Sequence, residues 1–244
     1  MSATVKQSPA SATFTASTTS PASNMSLEAA IRNRRSVRGY LDKRVPQQVM
    51  ESIFKLAQHT PSNCNIQPWK VWVASGRLKE HLRQQMVAKV VSGVPFNADY
   101  EYPGKFDGDY RRRQVECAME LYNSMGIARD DKEGRMRASL RNFEMFDAPH
   151  VCFIGMDKRF GASVALDVGM YAQSLMLAMT AHGIASCAQG ALRYYPDLVR
   201  ETFNIGDDTN ILLGISFGYE DTAVPANNAR VGREEISKSV VFAE

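Results

Sequence analysis

Residues 210–219 read Asn-Ile-Leu-Leu-Gly-Ile-Ser-Phe-Gly-Tyr, and this stretch decides the class of fold. Its apolar run is nearly continuous rather than alternating, which is the pattern of a central strand covered on both faces. Such a strand needs a layer on either side, and the preceding sequence offers one. Residues 162–181 (ASVALDVGMYAQSLMLAMTA) place Leu, Met, Val and Ala at helical spacing and stop before Gly183. The run is long enough to span a bilayer, yet Asp167 and Gln173 lie inside it, and a carboxylate in mid-membrane costs about 3 kcal/mol. The expectation is a helix buried on all sides in the protein, with a subunit interface as one way of covering it.

Further strands are expected at 71–74 and 150–156. Helices are expected at 27–33, capped by Ser26, and at 47–59, with Pro46 at the first helical position. Val49, Ile53, Leu56 and Ala57 form the apolar stripe of the second. A third helix covers 77–91. Residues 34–44 read as a polar, basic turn and 60–68 as a loop. Strands interleaved with helices give an α/β or α+β sandwich, with few strands and much helix. There is no internal repeat.

Residues 92–146 form a polar, aromatic, Arg-rich insertion. Pro95, Pro103, Gly104 and Gly108 punctuate a loop over 93–109, followed by helices at 110–125 and 132–146. The run Arg111-Arg112-Arg113 reads as a solvated helix face, since no basic stripe continues from it. Residues 1–25, made mostly of Ser, Thr, Ala and Pro, cannot bury enough apolar surface to order and are expected to be a disordered tail. They carry no apolar core behind a basic start and no arginine, so neither a secretory signal nor a transit peptide is expected.

The charge balance is +3, from 29 basic and 26 acidic residues, too small to indicate nucleic acid as a partner. Cys64, Cys117, Cys152 and Cys187 lie far apart, without a CxxC or a nearby histidine. No metal site or disulfide framework is expected, and a reducing, cytoplasmic compartment fits. GxSxG, HExxH, GxxxxGK[ST] and GxGxxG are all absent. His59, His81, His150 and His182 are scattered, and Cys187 has no evident base beside it.

Four segments carry the candidate chemistry. Arg34-Arg35-Ser36-Val37-Arg38 gathers three guanidinium groups and a hydroxyl, which is what a phosphate monoester needs; a solvated basic turn would have the same composition. Pro61-Ser62-Asn63-Cys64-Asn65-Ile66-Gln67-Pro68-Trp69 offers hydroxyl and amide groups between two prolines. It suits a planar heterocycle or an ordinary Asx-rich connection. The small residues of 183–191 (GIASCAQGA) let a flat ring approach the backbone. Arg230-Val231-Gly232-Arg233 is a second source of positive charge.

In this order and spacing the sequence resembles the nitroreductase family of FMN enzymes over residues 26–244. RRSVRGY at 34–40, PSNCNIQPW at 61–69, NFEMFDAPHV at 142–151, GIASCAQGA and ILLGISFGY carry the likeness, and the 92–146 insertion looks like that of nitrobenzoate-reductase-type members. The resemblance implies a single α+β domain over 26–244. Its central, mostly antiparallel sheet would be wrapped by helices, in an intertwined homodimer with two FMN sites at the subunit interface.

The resemblance also assigns residues. Arg34 and Ser36, with Arg35 beside them, would hold the phosphate and ribityl chain, and Arg38 the pyrimidine edge of the flavin. Pro61, Ser62 and Asn65 would come from the partner subunit. The backbone at Ala188, Gln189 and Gly190 would line the ring near N5, and Arg230 and Arg233 would close over the phosphate. Where the family often has a lysine, this chain has Arg141-Asn142-Phe143-Glu144, so Asn142 or Arg141 would supply that contact. Arg230–Arg233 also lacks the proline usual after the second arginine.

The implied activity is ping-pong. NAD(P)H reduces FMN, and a small aromatic substrate such as a nitrobenzoate then takes two electrons at a time, with no side chain assigned as catalytic. A quinone or enone reductase, a reductive dehalogenase on the same fold, and a low-turnover flavin-binding protein are the alternatives. Tyr100, Tyr102, Phe106, Tyr110 and Tyr122 would wall an aromatic slot, with Arg111, Arg112, Arg113 or Arg141 receiving a carboxylate. The other reading has those aromatics packing the insertion onto the body. Neither a nucleic acid nor a membrane is expected as partner.

Overall fold

Strands Lys70–Ser75 (β1), His150–Asp157 (β2), Ala185–Gln189 (β3) and Thr209–Gly218 (β4) form one sheet in the order β1-β2-β4-β3, every pairing antiparallel. The computed structural model describes residues 25–101 and 104–244. The tail expected over 1–25 lies outside them except for Met25, and so does Tyr102. The 210–219 run is the core of β4, which is paired on both edges, with Phe217 opposite His150 on one side and Ser186 on the other. The β2–β4 register shifts between Ile154 and Gly155. A Cβ at Gly155 would come within 2.5 Å of the Asn210 carbonyl oxygen, so the irregularity depends on a residue without a side chain.

Helices cover both faces. Leu27–Asn33 (α1), Gln47–Ala57 (α2), Gly76–Val91 (α3), Gly108–Ser124 (α4), Lys132–Leu140 (α5), Ala162–Ala181 (α6) and Pro196–Phe203 (α7) follow in chain order. Ile53 and Ala57 of α2 and Tyr171, Leu175 and Met179 of α6 bury against Ile154, Ile215 and Phe217. On the opposite face Leu82 and Met86 of α3 and Leu198 and Val199 of α7 bury against Val151, Phe153 and Ile211. Fully burying each such side chain stabilises the fold by roughly 1.5–3 kcal/mol. Ser26 caps α1 as expected, accepting from the Ala29 N–H at 3.1 Å.

Several expectations need correcting. Pro46 is the N-cap of α2 and not its first helical residue, and the helix stops at Ala57. The 34–44 segment is largely extended: Ser36 bridges Ser186 and Tyr40 bridges Glu220, tying it to the open edge of β3 and the end of β4. The helix expected over 132–146 stops at Leu140. Met145, Phe146 and Asp147 take φ of 57°, 52° and 62°, and successive left-handed residues cannot continue a right-handed helix. β3 and α7 were not foreseen, because the small residues of β3 lack the bulk that marks a strand. Finally, α6 is not buried on all sides within one chain. Asp167, Tyr171 and Leu175 face inward, whereas Leu166 is 70% exposed and Met170 42%.

Candidate functional site

The extended segment after α1 sets the site. Val37 donates its N–H to the Ser186 carbonyl at 3.1 Å, and Val37 and Tyr40 point into a small core with Phe146, Ala148 and Cys187. Val37, Gly39 and Tyr40 are buried, whereas Arg34, Arg35, Ser36 and Arg38 are only partly covered. The Tyr40 hydroxyl donates within reach of the Val37 and Ser216 carbonyls, and burial pushes that phenol well above its ordinary range. It is a structural pin.

A cavity of about 690 Å³ opens beside this segment, within the ordinary size of a small-molecule cleft. Its lining brings the first and fourth sequence segments together: Arg34, Arg35, Ser36 and Arg38 on one wall, Arg230 and Arg233 on another, with Cys117 and Leu121 of α4 between them. Arg32 also reaches it, and among the described residues no carboxylate lines it. Arg32 pairs with Glu28, and Arg35 with Glu220. Among the described residues no carboxylate pairs with the side chains of Arg34, Arg38, Arg230 or Arg233. Glu120 accepts from the Arg230 backbone N–H at 2.9 Å, but four guanidinium groups without a carboxylate bonded to them favour an anion here, and the planar donor forks of arginine suit phosphate.

Arg38 and Leu121 also line a smaller cavity of about 240 Å³, shared with Met125, Arg141, Asn142, Phe146 and Val224–Ala226. It is mostly apolar, with Arg38, Arg141 and Asn142 as its polar lining. Arg141 is held there by Glu144 at 3.1 Å and Asp147 at 2.6 Å, so its charge is already answered. The Gln189 side chain donates to the Asn142 carbonyl at 2.9 Å and its oxygen accepts from Ser216, fixing the 139–142 turn against β3. Ala188 and Gly190 flank it with exposed backbone. Cys187 is buried beneath. Burial pushes its thiol up, although Arg38, Ser36 and Arg34 nearby oppose the shift, so it is no thiolate nucleophile.

The loop of residues 60–68 does not join the arginines within one chain. It lies against α6, where the Asn63 N–H donates to Asp167 at 3.1 Å, and the Ser62 hydroxyl accepts from the Gln67 N–H at 2.9 Å. Between its two prolines Asn63–Asn65 is a short 3-10 turn, with Cys64, Asn65 and Gln67 in left-handed conformations. Pro61 and Asn65 are exposed there. Tyr110 is 67% exposed and carries Arg113 over its ring at 5.0 Å. Arg112 and Arg113 both pair with Glu234, and Arg111 donates to Gln114. The arginine run braces the C-terminal segment and does not point into the smaller cavity. Tyr100 packs against the α2–α6 core. Among the described residues no cluster of His, Cys, Asp and Glu has the make-up of a metal site.

The family model described as the nitroreductase family matches residues 31–219. The chain belongs to the nitroreductase family. A nitroreductase, NfnB, from Mycolicibacterium smegmatis is 38% identical over 216 residues, covering 88% of this chain and 92% of that protein. A 4-nitrobenzoate reductase from Nocardioides sp. is 31% identical over 219 residues, covering 88% of this chain and 89% of that one. The crystal structure of the FMN-dependent NfnB from Mycobacterium smegmatis in complex with NADPH superposes with a TM-score of 0.85 at 38% identity, covering 89% of this chain and 97% of that one. The FMN- and NADPH-dependent NfnB from sphigopyxis sp. strain HMH gives 0.87 at 33% identity, over 90% and 100%. The nitroreductase fold read from the sequence is thus the fold found.

Sequence reasoning about this nitroreductase missed Asn227, which is 2% exposed and bonded to the arginine wall. It missed Cys117 and Leu121 as lining of the larger cavity too. An asparagine in a Pro-Ala-Asn-Asn stretch looks like any turn; its partners Arg35, Arg38 and Gly39 lie near the other end of the chain.

Proposed function

We propose that this chain is an FMN-dependent oxidoreductase that uses NAD(P)H to reduce nitroaromatic compounds in two-electron steps, working as a cytoplasmic homodimer. One observation carries the reading. Arg38 lies on the lining of both cavities, so an arginine-lined chamber, with no carboxylate among the described residues of its lining, opens beside a smaller, largely apolar one, which is the donor set of a phosphorylated ring system. The chemistry of the residues fits FMN. Arg34, Ser36, Arg230 and Arg233 would hold the phosphate, with charge-assisted bonds to a group carrying close to two negative charges. Arg38 would place a permanent cation at the pyrimidine edge, favouring the state of the cofactor with the greater negative charge there. Arg35, committed to Glu220 and to the Asn227 carbonyl at 3.0 Å, braces the wall.

When bound, FMN supplies hydride acceptance and donation, and no side chain need act as a nucleophile. The protein's part is to position, to charge and to exclude water. Asn142, Phe146 and the backbone of Ala188 and Gly190 would border the ring, with Gln189 holding the Asn142 turn in place.

Pro61, Ser62 and Asn65 would complete the site from the partner subunit. This assignment is supported by where the loop sits, since Asp167, which anchors it, adjoins the exposed Leu166 on α6. Exposed Leu27 and Ile31 of α1, which packs on α6, extend that apolar face. Residues of the 92–146 insertion would set the choice of acceptor.

The test is a visible spectrum of the purified full-length protein. An oxidised-flavin band, bleached by NADPH and restored by a nitrobenzoate or another nitroarene, is expected. Colourless protein that takes up no added FMN overturns the reading.

A further inference from the structure

The three arginines of the cavity wall that meet in one place do so on a residue whose role is still unassigned. Asn227 is buried. Its side-chain oxygen accepts from the Arg38 backbone N–H at 2.6 Å, and its side-chain nitrogen donates to the Gly39 and Asp221 carbonyls at 2.9 and 2.8 Å. Its own carbonyl accepts from Arg35 at 3.0 Å and from Arg230 at 2.7 Å. Both amide hydrogens and both carbonyl lone pairs are in use, leaving little room to move without losing a bond.

We propose that Asn227 is the positioning residue that sets the separation of Arg38 and Arg230 across the cavity, and so makes the site selective for a phosphorylated over an unphosphorylated flavin. This rests on the FMN reading above. The two walls come from opposite ends of the described chain. Beyond the Tyr40–Glu220 bridge they are tied by the Asp221 N–H to the Gly39 carbonyl at 3.1 Å and by Arg35 to Glu220, and among these ties Asn227 is the residue that bonds both Arg38 and Arg230. Like charges facing across a cavity repel. A fixed, uncharged link at the base of both walls holds Arg230 at the distance where it meets the phosphate while Arg38 meets the ring edge. Asn227 is that link, because it takes a bond from Arg38 with its side chain and one from Arg230 with its backbone. With alanine there the carbonyl remains, but the side-chain bonds to Arg38, Gly39 and Asp221 are lost. The Arg230 wall can then relax away from Arg38.

The test separates this role from simple support of the fold. Full-length wild type and Asn227→Ala, purified without added flavin, are titrated with FMN and with riboflavin, following quenching of flavin fluorescence. The two ligands differ only in the phosphate. Asn227→Ala is expected to lower the preference for FMN over riboflavin by about tenfold, the scale of one lost charge-assisted bond, with riboflavin affinity nearly unchanged. An unchanged preference, or equal losses for both ligands, overturns the proposal. Wild type that binds neither flavin overturns the FMN reading instead. Should the alanine variant fail to fold, Asn227→Ser, which keeps a small hydroxyl, is read by the same ratio with the same criterion.

Discussion

At the scale of single residues, the site depends on charge without counter-charge. Arg34 lines the anion cavity, and no described carboxylate pairs with it. Arg34→Ala should therefore weaken FMN binding by roughly 10- to 100-fold while leaving the melting temperature close to wild type, since a partly exposed arginine with no partner supports little packing. Equilibrium dialysis and a thermal melt measure the two effects separately, and an unchanged dissociation constant would remove Arg34 from the site. Gly39 shows the opposite behaviour. A Cβ there would meet three carbons of Val224 at 2.5–2.6 Å, and a β-branched side chain cannot swing aside. Gly39→Ala should cost about 1–3 kcal/mol of stability by overpacking and should narrow the smaller cavity, which Val224 lines. Chemical denaturation with unaltered stability would contradict it. Arg34 and Gly39 both stand in the quoted RRSVRGY run, yet nothing in that run reveals that Gly39 sits under Val224.

At the scale of elements, β1 and β2 are joined through a buried histidine. His150 Nε2 accepts from the Val45 N–H at 2.9 Å, so Nδ1 carries the proton toward the Ser75 hydroxyl. Burial, with help from the Arg44 and Lys79 charges, lowers the pKa of His150 from 6.5 to about 4. The unfolded chain then binds this proton at a higher pH than the folded one. The contribution of His150 is full above about pH 6.5 and is lost as pH falls toward 4. Unfolding free energy should decline across that window, and His150→Gln should flatten the decline even if it lowers stability overall; an equally steep decline in the variant would refute the assignment.

Elements differ in how much of them the sequence displays. α1, α3, α6 and β4 are legible from caps, periodicity and apolar runs. β3 and the stop of α5 are not. The small residues of β3 form a strand because β4 offers it an edge, and the left-handed turn at Met145–Asp147 exists because Met145 and Phe146 are pulled into the core.

At the scale of the whole molecule, the exposed face of α1 and α6 is the surface that the proposed homodimer would use. Leu27, Ile31 and Leu166 are 70%, 53% and 70% exposed, and apolar faces of this kind mark association surfaces. Leu166→Glu should convert a dimer into monomers on size-exclusion chromatography with light scattering, and should weaken FMN binding at least about tenfold if the 61–68 loop serves the partner's site. A monomeric variant that holds FMN as tightly as wild type would place that loop outside the flavin site.

The chain by itself determines which segments are helices and strands where periodicity is long, and which residue types are available for an anion and a flat ring. Those properties are local, carried by spacing, capping and side-chain chemistry along a few turns. Only the tertiary structure decides that Arg34–Arg38 and Arg230–Arg233 face one cavity, that Asn227 ties them together, and that Arg112 and Arg113 answer Glu234 instead of a substrate. Each of these is a contact between segments far apart in sequence, fixed by how α4 and the C-terminal segment pack around the β3–β4 end of the sheet, and no local pattern encodes a distance across the fold.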